Sequence, residues 1–216
     1  MRRYVALLVA LFPLATLTPQ TVVAEQLTDD DAAPVVALEA PRPDRPIRNL
    51  ALAPEDLGPN WTVVPGSVEE VDVEHLGRPA QPSDPLALFQ ARYRNETDFE
   101  AGRETAFLIA EFQSPQQAEK ALHEYLDYFL MNRMPEVRWR WLGEPVATGD
   151  LGVRFGYGFS DAFTAGYIFR VDSYLSGVLV RGPESAEEDL LADATTVTSW
   201  QEALLSSSAG RQTATL

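Results

Sequence analysis

The 216-residue chain contains no cysteine. That absence excludes disulfides, thiolate metal sites, a cysteine nucleophile and the lipidated cysteine of a bacterial lipoprotein. Histidine is almost as scarce: His75 and His123 stand far apart, with no metal-ligand spacing such as H-E-x-x-H. A G-x-S-x-G elbow is also missing. The glycines Gly152, Gly156 and Gly158 fall inside an expected strand, so no helix N-terminus is offered there to a phosphate. Positive charge is short as well, with 17 Lys and Arg against 32 Asp and Glu and a net charge of −15. Such a surface repels phosphate backbones and anionic lipid, which argues against nucleic-acid binding and a peripheral membrane role. Lys120 is the single lysine, a bias that fits GC-rich bacterial codon usage. No catalytic residue, no cofactor and no metal site is expected, and the chain reads as a non-enzyme.

The N-terminus carries the clearest signal. Met1-Arg2-Arg3 precedes an apolar run over residues 4–17, too short to span a bilayer core, and Val22-Val23-Ala24 ends in a small residue. This pattern predicts a secretory signal peptide over residues 1–24, cleaved after about Ala24. The alternative is an uncleaved anchor, disfavoured because Pro13 interrupts an already short helix. Export places the protein in a secreted or periplasmic, extracytoplasmic location with no stable membrane anchor after cleavage. Losing Arg2 and Arg3 and no acid takes the net charge to −17.

Residues 25–48 hold Asp29-Asp30-Asp31 and then Pro34, Pro41, Pro43 and Pro46, with too little periodic apolar surface to offset the entropy of ordering. A disordered acidic, proline-rich spacer is expected there, and a mobile polar tail over 206–216. Between them, residues 49–205 form one candidate domain without an internal repeat. Ser114 as N-cap, Pro115 at the first helical position and Gln117 in a capping box open a helix over about 114–134. Its apolar stripe runs through Ala118, Ala121, Leu122, Tyr125, Leu126, Phe129 and Leu130. A second helix, about 185–205, opens at Ser185 and Glu188, and Thr195, Thr196 and Thr198 make it dependent on docking. Alternating or short apolar runs predict strands at 61–64, 88–94, 105–112, 137–142, 153–159, 166–171 and 174–181. The expected class is α+β: a mostly antiparallel sheet with both helices packed on one face.

Two clusters stand out as candidate binding residues. In Arg138-Trp139-Arg140-Trp141, alternation puts Trp139 and Trp141 on one face with the arginines on the other. Such a strand offers indoles for stacking and guanidinium groups for an anionic or carboxylate-bearing ligand, or else core tryptophans with solvated arginines. Phe155 and Tyr157 continue the theme, alternating with Gly156 and Gly158. Trp139, Trp141, Phe155, Tyr157 and Arg140 are therefore the candidate ligand contacts. The acidic run Glu69, Glu70, Asp72 and Glu74 beside His75 lacks the EF-hand pattern and reads as a solvated loop or edge strand.

Asp56-Leu57-Gly58-Pro59-Asn60-Trp61, Phe112-Gln113-Ser114-Pro115 before an Ala-rich helix, and Gly149-Asp150 before strands containing Phe169-Arg170 form a pattern over about residues 52–205. It resembles an uncharacterised family of exported bacterial α+β proteins, and the element order is similar to extracytoplasmic sensor-like and PsbP-like (LpqN-like) domains. The resemblance implies an α+β fold and an association with envelope ligand binding, and it transfers no catalytic residue. The functional expectation is a non-enzymatic module, sensor-like or binding a small apolar or amphipathic ligand. The rival is an envelope or extracellular protein–protein interaction or assembly protein.

Overall fold

The computed structural model describes residues 46–72, 84–97, 102–131 and 137–213. The expected signal peptide, nearly all of the spacer, Glu74 and His75 lie outside the described residues. A 3-10 turn, Ile47–Leu50, leads into a four-residue helix α1, Pro54–Leu57. Eight strands follow: β1 Trp61–Val63, β2 Glu69–Asp72, β3 Ala87–Asn95, β4 Glu104–Glu111, β5 Arg138–Val146, β6 Leu151–Phe159, β7 Ala162–Val171 and β8 Tyr174–Pro183. Two long helices complete the chain, α2 Pro115–Met131 between β4 and β5, and α3 Glu187–Thr213 after β8. All pairings are antiparallel in the order β1-β3-β4-β8-β7-β6-β5, with β2 beside β1 on the outer edge of β3. This is the α+β class expected from the sequence. Among the described residues no helix is long and apolar enough to cross a membrane.

One expectation is overturned: the helices do not share a face. In β4, Phe107 and Ile109 join Phe89, Phe163, Phe169 and Val178 beneath Leu190, Ala194 and Leu205 of α3. Ala106, Leu108 and Ala110 point the other way, joining Leu88, Phe155, Ile168 and Leu175 beneath Ala118, Leu122 and Tyr125 of α2. The physical reason is that β4, β7 and β8 are buried almost continuously rather than alternately, so each of their faces needs its own cover. The continuous apolar run Ala106-Phe107-Leu108-Ile109-Ala110 already carries that signal.

The N-cap of α2 forms close to expectation. Ser114 Oγ accepts from the Gln117 N–H at 3.3 Å, but the Gln117 side chain reaches back to the Gln113 N–H, one residue before the cap. Helix α3 is longer than expected, preceded by a 3-10 turn at Glu184–Ala186 and continuing past Leu205 to Thr213. Leu205 is fully buried and anchors that end, while the Ser207 and Ser208 hydroxyls donate back to the Leu204 carbonyl. Thr195 and Thr196 likewise donate to carbonyls one turn earlier, and Tyr167 Oη lies 2.8 Å from Thr195 Oγ1. Thr195 is thus tied to the sheet, whereas Thr196 bonds only within its own helix.

The described residues begin slightly before the expected domain boundary. Ile47 and Leu50 are buried against α3, held there by the fully buried Gln201. Its Oε1 accepts from the Leu52 N–H at 3.0 Å and its Nε2 donates to the Leu50 carbonyl at 2.6 Å. Tyr93 Oη adds a hydrogen bond to the Leu52 carbonyl at 3.1 Å.

Candidate functional site

The five expected ligand contacts do not form one group. Strand β5 is irregular: its register against β6 shifts between Trp139 and Trp141, so Trp139 pairs with Tyr157 and Trp141 with Gly156. A bulge at Arg140 therefore turns the two indoles to opposite faces, where alternation had put them together. Trp139 packs on the α2 side with its ring 5.2 Å from that of Tyr157, and Phe155 stacks beside Tyr157 at 6.5 Å. Trp141 lies on the α3 side, edge-on to Phe163 at 6.0 Å. Its ring occupies the space a side chain at Gly156 would need, 2.4 Å from an ideal Cβ there. Arg154 sits over the Trp141 ring at 5.3 Å and is tied to Glu144 at 2.8 Å.

Arg140 stands apart from all the rings. Its side chain is about half exposed and reaches Glu184 and Glu187 at 3.7 and 3.5 Å, while Arg138 holds Glu184 at 2.7 Å. These arginines face the acidic approach to α3. They also blunt the outer edge strand of the sheet, together with Pro145 and the bulges.

Phe155, Tyr157 and Trp139 belong instead to a row that crosses the sheet on the α2 side. Register places side by side Thr62, Arg94, Glu104, Arg181, Thr164, Tyr157 and Trp139. One step along the strands, on the same face, lie Arg92, Ala106, Leu179, Gly166 and Phe155. The Phe155 ring covers Gly166, whose ideal Cβ would fall 2.3 Å from Phe155 Cζ. The row thus grades from aromatic at β5 and β6 to cationic at β8 and β3. Helix α2 starts over the opposite end of the sheet, near Phe112 and Leu175, and its Tyr125 arrives close enough to Tyr157 for the two hydroxyls to interact electrostatically.

Two arginines on this face differ from the others. Arg48, Arg94, Arg103, Arg138, Arg140, Arg154 and Arg170 each hold a carboxylate. Among the described residues, Arg92 and Arg181 have no carboxylate partner, although both are partly buried. Sequence reading passed over them. The available signal was phase: Arg92 and Arg94 fall in step with Leu88, and Arg181 in step with Leu175 and Leu179, on a face that is otherwise core.

Burial governs the tyrosines. Tyr93 is pushed up to about 12, chiefly by burial and then by Glu55 and Asp56. Tyr125 is raised by burial and by Tyr157. Tyr157 is raised by burial, against the opposing hydrogen bond to Thr164 and the charge of Arg181. In each case the folded chain retains a proton that the unfolded chain releases near pH 10, so the stabilisation is complete below that pH and is lost as pH climbs through the folded value. Between pH 10 and 12 stability should therefore fall by about 1.4 kcal/mol per unit for each such tyrosine. Urea unfolding at stepped pH, with tyrosinate absorbance followed in parallel, checks this. Ionisation of every tyrosine near pH 10 in the still folded protein would refute it.

His123 is exposed on α2, its Nε2 4.0 Å from Glu119, and belongs to neither row. No protein-family model matches the chain. No curated protein matches it either. Among solved structures, the extracellular domain of PknH from Mycobacterium tuberculosis matches with a TM-score of 0.43 and 9% identity, over 73% of this chain and 98% of that one.

Proposed function

We propose that this protein is an exported, non-catalytic, sensor-like module that binds a small amphipathic molecule at the cationic end of the α2 side of its sheet. Export rests on the N-terminal pattern of Arg2 and Arg3, a short apolar run and Ala24. Binding rests on one observation: Arg92 and Arg181 are partly buried without acidic partners, on the face where Trp139 and Tyr157 are only partly covered. A guanidinium carries five donors, and those of Arg92 and Arg181 are neither occupied by a carboxylate nor sealed from solvent, so a ligand can reach them. A bound molecule bringing acceptors, with an apolar part lying against the indole, would engage both features of this face.

The arrangement favours a small ligand over the envelope assembly partner. Trp139, Phe155 and Tyr157 are packed into the sheet–helix layer, and large exposed apolar side chains among the described residues are limited to Val63, Val68 and Trp200. The direct test is to incubate the purified protein with a small-molecule extract of its host, desalt it, and identify by mass spectrometry what denaturation releases. Enrichment of a small molecule by the wild type, reduced severalfold in Trp139→Ala, is expected. Enrichment of nothing, alongside capture of a protein chain, would overturn the reading in favour of the assembly role.

A further inference from the structure

We propose that Arg92 and Arg181 form a two-point site for an oxyanion, a carboxylate or phosphate group carried by a small molecule. The inference rests on the reading of the chain as a ligand-binding module and names the chemistry its ligand must carry.

Both arginines project from the α2 face, Arg92 on β3 and Arg181 on β8, with β4 between them. Two strand spacings separate them, about 10 Å, plus one side-chain step of about 7 Å along the strands, a gap that two arginine side chains can jointly span. On β4 the neighbour of Arg92 is Ala106, which carries no bulk to fill the space, and the neighbour of Arg181 is Glu104. Backbone anchoring fixes one side of the site: Ser67 Oγ accepts from the Arg92 N–H and donates to the Arg92 carbonyl, both at 3.1 Å. On the other side, Arg181 is flanked by the buried Thr164, whose hydroxyl is engaged by Tyr157.

The acids nearby do not cancel this charge. Glu104 lies next to Arg181 in register, but both Nε and Nη2 of Arg94 bind its Oε1. Glu69, further along the strands, accepts from the Gln90 amide. Arg92, Arg94 and Arg181 against Glu104 leave this patch net positive in a chain whose overall charge is −15. With acids outnumbering bases almost two to one, a carboxylate partner is the default for an arginine here, as for Arg48, Arg94, Arg103, Arg138, Arg140, Arg154 and Arg170. Two planar forks on one face, within joint reach of each other, suit a tetrahedral or planar oxyanion held between them.

The test is a titration of the labelled protein with inorganic phosphate and, separately, with succinate, following arginine Nε–Hε resonances. Saturable shifts confined to Arg92 and Arg181 are expected, while Arg154 and Arg170, held by Glu144 and Asp150, stay in place. The tighter of the two probes identifies phosphate or carboxylate as the preferred group. The double variant R92Q/R181Q should weaken that binding by about 10- to 100-fold. Shifts that grow without saturation and include the exposed Arg138 and Arg140 would refute the site, as would no shift at all. If the wild type carries a small molecule from its host and R92Q/R181Q carries it equally well, the oxyanion site fails while the binding module stands.

Discussion

Gly149→Ala is expected to lower the melting temperature by roughly 6–12 °C, equivalent to about 3 kcal/mol in a domain of this size. Gly149 forms the turn between β5 and β6 with φ +62, in the region that L side chains seldom adopt. An ideal Cβ there falls 2.2 Å from the Arg170 carbonyl oxygen. That oxygen cannot retreat, because the Asp150 N–H donates to it at 2.8 Å while Asp150 Oδ2 also holds the Arg170 guanidinium. The Gly149 N–H is itself bound to Glu202 of α3 at 2.7 Å, so a shifted turn also loosens the helix. Gly66 is the natural control. Its φ of +72 is equally unusual, but nothing lies within 4 Å of its ideal Cβ, so Gly66→Ala should cost only about 1 kcal/mol. Equal effects of the two substitutions in thermal unfolding would show that the collision with Arg170 is not decisive.

Gln201→Leu should be almost as damaging, and its effect should be local. The side chain is close in size, yet the substitution removes both hydrogen bonds that join α3 to the N-terminal segment, leaving the Leu52 N–H and the Leu50 carbonyl buried without their partner. Each orphaned group costs about 1–3 kcal/mol, so a total of roughly 2–6 kcal/mol is expected. Hydrogen exchange offers the clearer readout: the Leu52 amide should lose its protection while amides in β4 and β8 change only with global stability. Unchanged protection at Leu52 would mean that Ile47 and Leu50 hold the segment in place through apolar packing alone.

What the sequence revealed follows from how local each signal is. Helix α2 was legible because Ser114, Pro115, Gln117 and the stripe through Leu122 and Tyr125 all lie within a few turns of one another. The strands were legible from runs such as that around Phe107, and their short connections implied antiparallel pairing. The partition of helices between faces depended on whether β4, β7 and β8 are buried on both sides, a question for the whole sheet. The separation of Trp139 from Trp141 depended on a bulge, and the feature that accommodates it, the bare face of Gly156, lies on another strand. Gln201 looked like one more polar helix residue, since only the N-terminal segment folding back gives it a purpose. Arg92 and Arg181 were missed for a related reason: whether a charge has a partner is decided across strands, whereas sequence shows only its phase along one.

The measurement that tests the account most directly is native mass spectrometry of residues 25–216 secreted by the host, wild type beside R92Q/R181Q, with denaturing spectra as reference. The account predicts a small added mass on the wild type that is lost on denaturation, bears a carboxylate or phosphate on fragmentation, and is depleted in the variant. A bare wild-type chain, or one carrying only another protein, would contradict it.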